Sequence, residues 1–300
     1  MMTNRWRWAG GLVFAVALAW CSAGCGRSSQ VLAPDAGISA LDAAVTLAPD
    51  DAEPARDRGT SEEHRRATSI SGPATITLPG DYRLTEDIRV AQGDAIVITA
   101  SHVRLWLGEH QLYGPGNKAG RAVVIDGAED VVVHGGRIEH FGFGAVLMNA
   151  SRCRVEDLTI RGGDETADPA NGNPPQIGIM LVNSAMNYIA ENRMRNVNLG
   201  IFVRGGRSYA NRIHRNEVIS GEHGLLAICY NPASGEGPAG PHADRVSQNL
   251  LARFGTGISA SAQSAENYFV LNTIRYFTTA YADQNGTNVF EHNRAEQIAP

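Results

Sequence analysis

Three short stretches of this 300-residue chain carry residue types able to do chemistry. Pro241-His-Ala-Asp-Arg245 places an imidazole two residues from a carboxylate and three from a guanidinium. Histidine titrates near neutrality, so His242 can move a proton, with Asp244 as its acidic partner and Arg245 available to hold a charged substrate. Glu222-His223 repeats the pair of types in adjacent positions: His223 is a second candidate for proton transfer and Glu222 a substrate contact. Asp164, Glu165 and Asp168 gather oxygen ligands of the kind Ca²⁺ takes, although Asp-x-Asp-x-Asp spacing is absent. Their competing reading is a solvated acidic loop, because carboxylates are mostly exposed. No other cofactor is required. His134, His140, His214, His223, His242 and His292 lack Cys-x-x-Cys or His-x-x-x-His spacing, so nothing supports zinc or copper.

These residues need a scaffold, and the chain shows one in its periodicity. Gly, two apolar residues with one between, a polar gap, an apolar residue and Asn three residues later recur from Gly178-Ile-Met-Leu onward. The asparagines are Asn192, Asn216, Asn249, Asn272 and Asn293, and the repeats begin at Gly178, Gly200, Gly224 and Gly257. A period of about 20 to 50 residues means stacked units, since one unit cannot bury its own apolar face. Short alternating runs rich in Val, Ile and Phe read as strands. Coils of a parallel solenoid stack at about 4.7–4.9 Å, which puts the five asparagines above one another as a hydrogen-bonded ladder in a bend. Asn also tolerates the left-handed backbone that a bend needs. His110, Gly136 and Leu158 occupy the ladder position in the earlier coils.

With these repeats, the chain resembles the right-handed parallel β-helix proteins, a group that includes pectate lyases, many polysaccharide-active proteins and NosD-like periplasmic proteins. Ile76-Thr-Leu-Pro-Gly-Asp-Tyr-Arg-Leu-Thr-Glu-Asp-Ile88 and Val103-Arg-Leu-Trp-Leu-Gly-Glu-His110 are similar to the opening of many of them, with Trp106 and Gly108 where Asp and Asn are usual. The resemblance implies an all-β, single-stranded right-handed parallel β-helix of about eight coils with three short strands each, entered through a capping strand at residues 74–84. It also implies polysaccharide as the partner, lying on the Gly-Ile strand face. The His242 stretch resembles the Asp-Pro-His-Asp segment of alginate epimerases, with Gly240 in place of the first Asp and Ala243 inserted.

Two coils run to 34 and 33 residues, and their insertions, 163–175 and 231–244, would wall a cleft over that face. Strand alternation turns Val123, Met180, Phe202, Arg204, Leu226 and Ile228 outward. Met180 and Phe202 are then substrate contacts, and Arg204 stabilises developing negative charge. A mostly apolar floor equally suits a non-catalytic scaffold that docks a protein partner or a second copy. Arg5, Arg7 and the apolar run 10–20 read as an export signal. Ser22-Ala-Gly-Cys25 resembles a lipoprotein box, which would lipidate Cys25, make the lipid the only membrane contact and place the protein at the outer membrane, facing periplasm or cell surface. Residues 26–72, rich in Ala, Asp and Pro, read as a disordered tether. A net charge of −5 argues against nucleic acid.

Overall fold

The computed structural model describes residues 61–116, 119–163, 166, 175–231, 240–284 and 286–297. Those residues form 24 strands and one short helix, Ser61–Arg66, and every strand pairing is parallel. The chain winds through about eight coils, each contributing one strand to each of three sheets. The first sheet contains Ile177–Val182, Leu199–Arg204 and Leu226–Asn231. The second contains Arg154–Glu156, Tyr188–Ala190, Arg212–His214 and Arg245–Ser247. The third contains Thr159–Arg161, Arg193–Arg195 and Glu217–Ile219. In the outer coils the sheets run together, as in Val103–Tyr113 and Thr273–Asp283.

The core is a set of columns along the solenoid axis. Val123, Ala145, Ile179, Ile201, Ile228 and Ile258 stack in register in the first sheet. Val133, Val155, Ile189, Ile213, Val246 and Phe269 do so in the second. All twelve are at most 1 % exposed. Lining up like with like at each rung lets every coil bury the face its neighbour leaves open. At the C-terminal end aromatic rings take over: Phe269 stacks on Phe290 at 4.7 Å, and Tyr281 meets Phe290 edge-on at 5.1 Å.

The expected ladder is present. Each Nδ2 donates to the Oδ1 of the next rung, from Asn192 through Asn216, Asn249 and Asn272 to Asn293, at 2.9–3.1 Å. The backbone N–H of the first four of those residues donates to the same oxygens. The left-handed residue of each bend is not the asparagine. It is the residue before it: Glu191, Arg215, Gln248, Leu271 and His292, with φ of 51–57°.

A second ladder lies five residues upstream at the bend between the first and second sheets. It runs Asn187, Asn211, Asp244, Asn267, Asn288. Two boundaries also differ from expectation. Thr68–Ile70 pairs with Gly80–Leu84, so the fold starts ahead of residue 72, and Ala74–Ile76 is an ordinary rung against Ile96–Ile98. In the coil after Gly200 the register runs through Ala227, not Gly224, because Leu199 pairs Leu226 and Ile201 pairs Ile228. Ile228 therefore faces inward, as does Val123, while Leu226, Phe202 and Met180 face out. The position tolerates only a small residue: a Cβ on Gly200 would lie 2.4 Å from both Ala227 O and Val218 Cγ1.

Candidate functional site

The residues expected to act together are spread over three parts of the coil. Met180, Phe202 and Arg204 lie on the outer side of the first sheet, with Met180 beside Phe202. Around them Ile177, Leu199, Leu226 and Cys229 form a second apolar cluster, and Phe202 is only 3 % exposed. This strand face is thus not the open apolar patch that alternation alone suggests. Glu222 and His223 sit at the bend leading into that sheet, where the His223 carbonyl accepts from Asn198 Nδ2 at 3.0 Å. His242 sits at the opposite bend, bridged between Tyr209 and Ala265. A whole strand of about 20 Å therefore separates His223 from His242. The two histidines cannot share one substrate bond.

Asp244 is 0 % exposed and belongs to the second ladder. Its Oδ1 accepts the Asn211 backbone N–H at 2.6 Å and Asn211 Nδ2 at 3.1 Å. The Tyr230 hydroxyl, fully buried, lies beside the carboxylate without a well-formed hydrogen bond. Burial raises the Asp244 carboxyl to about 7, outweighing the Asn211 donors that act to lower it. A side chain so enclosed does not reach a polymer on the surface, and its place in the ladder gives it a structural role. Asp164, Glu165, Asp168 and Cys25 lie outside the described residues, and among the described residues no three His, Cys, Asp or Glu side chains converge as a metal site. Cys153 and Cys229 are buried free thiols.

His242 and Arg245 do come to one face, the outside of the second sheet. Its outer column reads Arg154, Tyr188, Arg212, Arg245, Tyr268, one residue per coil in register. The Arg154 guanidinium lies over the Tyr188 ring at 5.5 Å, and Tyr268 is 50 % exposed. Along the leading edge the His242 ring stacks on Tyr209, 5.6 Å between centroids. A carbonyl can only accept, so the 3.2 Å contact with Gly240 O makes His242 Nδ1 the protonated nitrogen. Beside this column His214 Nδ1 and Ser247 Oγ are 2.9 Å apart.

The same face leads, at its N-terminal end, into a groove of about 540 Å³. It arises from a mismatch in bend length. One coil spends four residues, Leu107–His110, between Trp106 and Gln111, where the next spends only Gly135 and Gly136. The longer bend stands up as a lip and the glycine pair leaves a floor without side chains. Gly136, at φ +85°, has no room for a methyl, since a Cβ there would lie 2.3 Å from Leu107 Cβ. Trp106 and Glu109 wall one side, Asp157 and Thr159 the other, with His134 and Arg137 on the middle coil. Arg137 is anchored by donating to the Glu109 carbonyl at 3.1 Å.

A family model described as a right handed beta helix region matches residues 87–274. The chain belongs to the right-handed beta helix family. No curated protein matches it. The match covers the coils that hold the second-sheet face and the groove, and the all-β winding read from the repeats is the fold found.

Proposed function

We propose that this β-helix domain binds an anionic polysaccharide along the outside of its second sheet, as part of an exported lipoprotein held to the outer membrane through Cys25. The observation that carries the reading is the column Arg154, Tyr188, Arg212, Arg245, Tyr268, which places a cation or an aromatic ring at each of five successive coils between Val132 and Val289, with Arg154 ion-paired to Glu156 and Arg212 and Arg245 at its centre. Coils about 4.8 Å apart present these groups as a regular track along the axis. Arginine suits carboxylate and sulfate oxygens through its planar fork of donors, and tyrosine offers a flat apolar face to a sugar ring. Binding rather than bond cleavage is favoured by the separation of His223 from His242 and by the burial of Asp244. The apolar strand face of the first sheet supports a docked protein partner poorly, since Phe202, Leu199 and Cys229 are already 2–3 % exposed.

Affinity electrophoresis of the full chain through gels containing alginate, pectate, chondroitin sulfate or dextran tests this. Retardation by at least one acidic polymer but not by dextran is expected, weakening by about ten-fold in Arg212→Ala/Arg245→Ala and falling with salt. Equal retardation by dextran, or an acidic-polymer affinity unchanged in that variant, would overturn the reading.

A further inference from the structure

We infer that the groove between the second and third sheets, at Trp106 and His134, is a separate binding site for a single uncharged sugar residue. It does not rest on the anionic-polymer reading, because the groove shares only the Arg154 coil with that track and carries the opposite charge balance. Its walls stand two coils apart, a gap of about 10 Å, which admits one ring. Its volume of about 540 Å³ falls in the range of small-ligand sites. The lining mixes two carboxylates, Glu109 and Asp157, with the Thr159 hydroxyl, the His134 imidazole, the Arg137 guanidinium and the Trp106 indole. A sugar ring presents hydroxyl donors at its edge and C–H groups on its faces. Carboxylates accept from the hydroxyls, and Trp106, 4 % exposed, offers the ligand only the edge of its indole, so recognition is mainly polar. Two carboxylates against one guanidinium disfavour an anionic ligand, so a uronate binds more weakly than a neutral pyranose. No metal is needed for this recognition.

The site is also fixed in place. Asp157 adopts φ +56° at the bend, and its neighbour Leu158 donates its backbone N–H to Asn192 Oδ1 at 3.0 Å, which ties one wall to the first rung of the asparagine ladder. The opposite wall is tied by Arg137 to Glu109. The floor is set by Gly136 against Leu107. A cleft whose two walls and floor are each held by a specific contact is largely formed before any ligand arrives, which lowers the ordering cost of binding.

The chain has four tryptophans, Trp6, Trp8, Trp20 and Trp106. The full chain carrying Trp6→Phe, Trp8→Phe and Trp20→Phe therefore reports on the groove through one fluorophore. Methyl glucoside, methyl galactoside, methyl mannoside and N-acetylglucosamine are titrated to about 50 mM, the range of weak single-sugar affinities. At least one is expected to change the Trp106 emission saturably, with methyl glucuronide about ten-fold weaker. Glu109→Gln/Asp157→Asn, which keeps the left-handed bend accessible to Asn, and Thr159→Phe, which fills the cleft, are each expected to weaken that response about ten-fold. Their urea midpoints separate loss of the site from loss of the fold. Absence of any saturable response, a response unchanged in both variants, or glucuronide binding as well as the neutral sugars would each overturn the proposal. Arg212→Ala/Arg245→Ala should leave the sugar response intact, so this test fails or succeeds apart from the polymer test.

Discussion

Replacing Asp244 with asparagine should make the protein more stable above neutral pH and about as stable as before in acid. The ladder that holds Asp244 runs as a chain of amide donors: Asn187 to Asn211, Asn211 to Asp244, Asn267 to Asn288. By that repeat the second oxygen of Asp244 stands where other rungs have a nitrogen whose partner is the next Oδ1, here that of Asn267. A protonated carboxyl can supply the missing donor and an ionised one cannot. The native carboxyl keeps its proton up to about 7, because burial penalises the charge, whereas the unfolded chain releases it near 3.8. Between those values the folded state holds one more proton than the unfolded state. Stability therefore falls as pH rises through this window, and the loss is complete once pH exceeds about 7. At about 1.4 kcal/mol per pH unit the interval amounts to about 4 kcal/mol. The Asp244→Asn variant would have no such term, so the difference between variant and natural protein should grow from near zero at about pH 3.5 to about 4 kcal/mol at about pH 8. For a domain of this size that is roughly 8–16 °C in Tm. Thermal and urea melts of both chains across that pH range measure it. Parallel stability profiles, or a variant less stable than the natural protein at the alkaline end, would refute the donor-chain argument.

Four further outcomes follow from the same contacts. Asn216→Ala removes an acceptor for the Asn192 backbone and amide N–H groups and a donor to Ile189 O, and should cost about 3–5 kcal/mol in urea melts. Gly136→Ala forces a methyl against Leu107 in a left-handed backbone, and should cost about 2–4 kcal/mol while shifting Trp106 emission. The Cys153 thiol, raised to about 11 by burial, should resist iodoacetamide at about pH 8 in the native protein and react in urea, as mass spectrometry would show. Cys25→Ser should abolish acylation and release the chain from the membrane fraction on cell lysis.

The repeat of Gly, alternating apolar residues and Asn is enough to read the winding and the first ladder, because stacking coils make like residues recur. The second ladder is equally periodic: Asn187, Asn211, Asp244, Asn267 and Asn288 each precede a first-ladder asparagine by five residues. It escapes a reading by residue type because one rung is Asp, and a carboxylate two residues from a histidine invites a catalytic role. The register of the Leu226–Asn231 strand misleads for a related reason: Gly224 looks like the strand glycine, but Ala227 fills that place. The groove lies beyond a repeat-based reading altogether. It comes from a departure in the repeat, four residues at one bend against two at the next, and periodicity arguments register what recurs.

The bends show why so irregular a set of side chains is tolerated on so regular a backbone. Left-handed backbone at a residue other than glycine costs about 1–2 kcal/mol. Yet Glu191, Arg215, Gln248, Leu271 and His292 all accept it in one column, and Met186, Ala210, Ala243 and Glu266 in another. His102, Asp130, Arg253 and Tyr276 accept it where no ladder residue follows, so the parallel stacking of the bends holds the conformation and the ladder reinforces it. Each ladder member anchors its bend through both its own side chain and the backbone of the rung before it, as Asn249 does for Asn216. The ladder residue thus adds hydrogen bonds to the turn and leaves its left-handed neighbour free to vary outward. That division accommodates Glu191, Arg215, Gln248, Leu271 and His292 at one equivalent position, while bends without a ladder, such as Leu107–His110, vary in length as well.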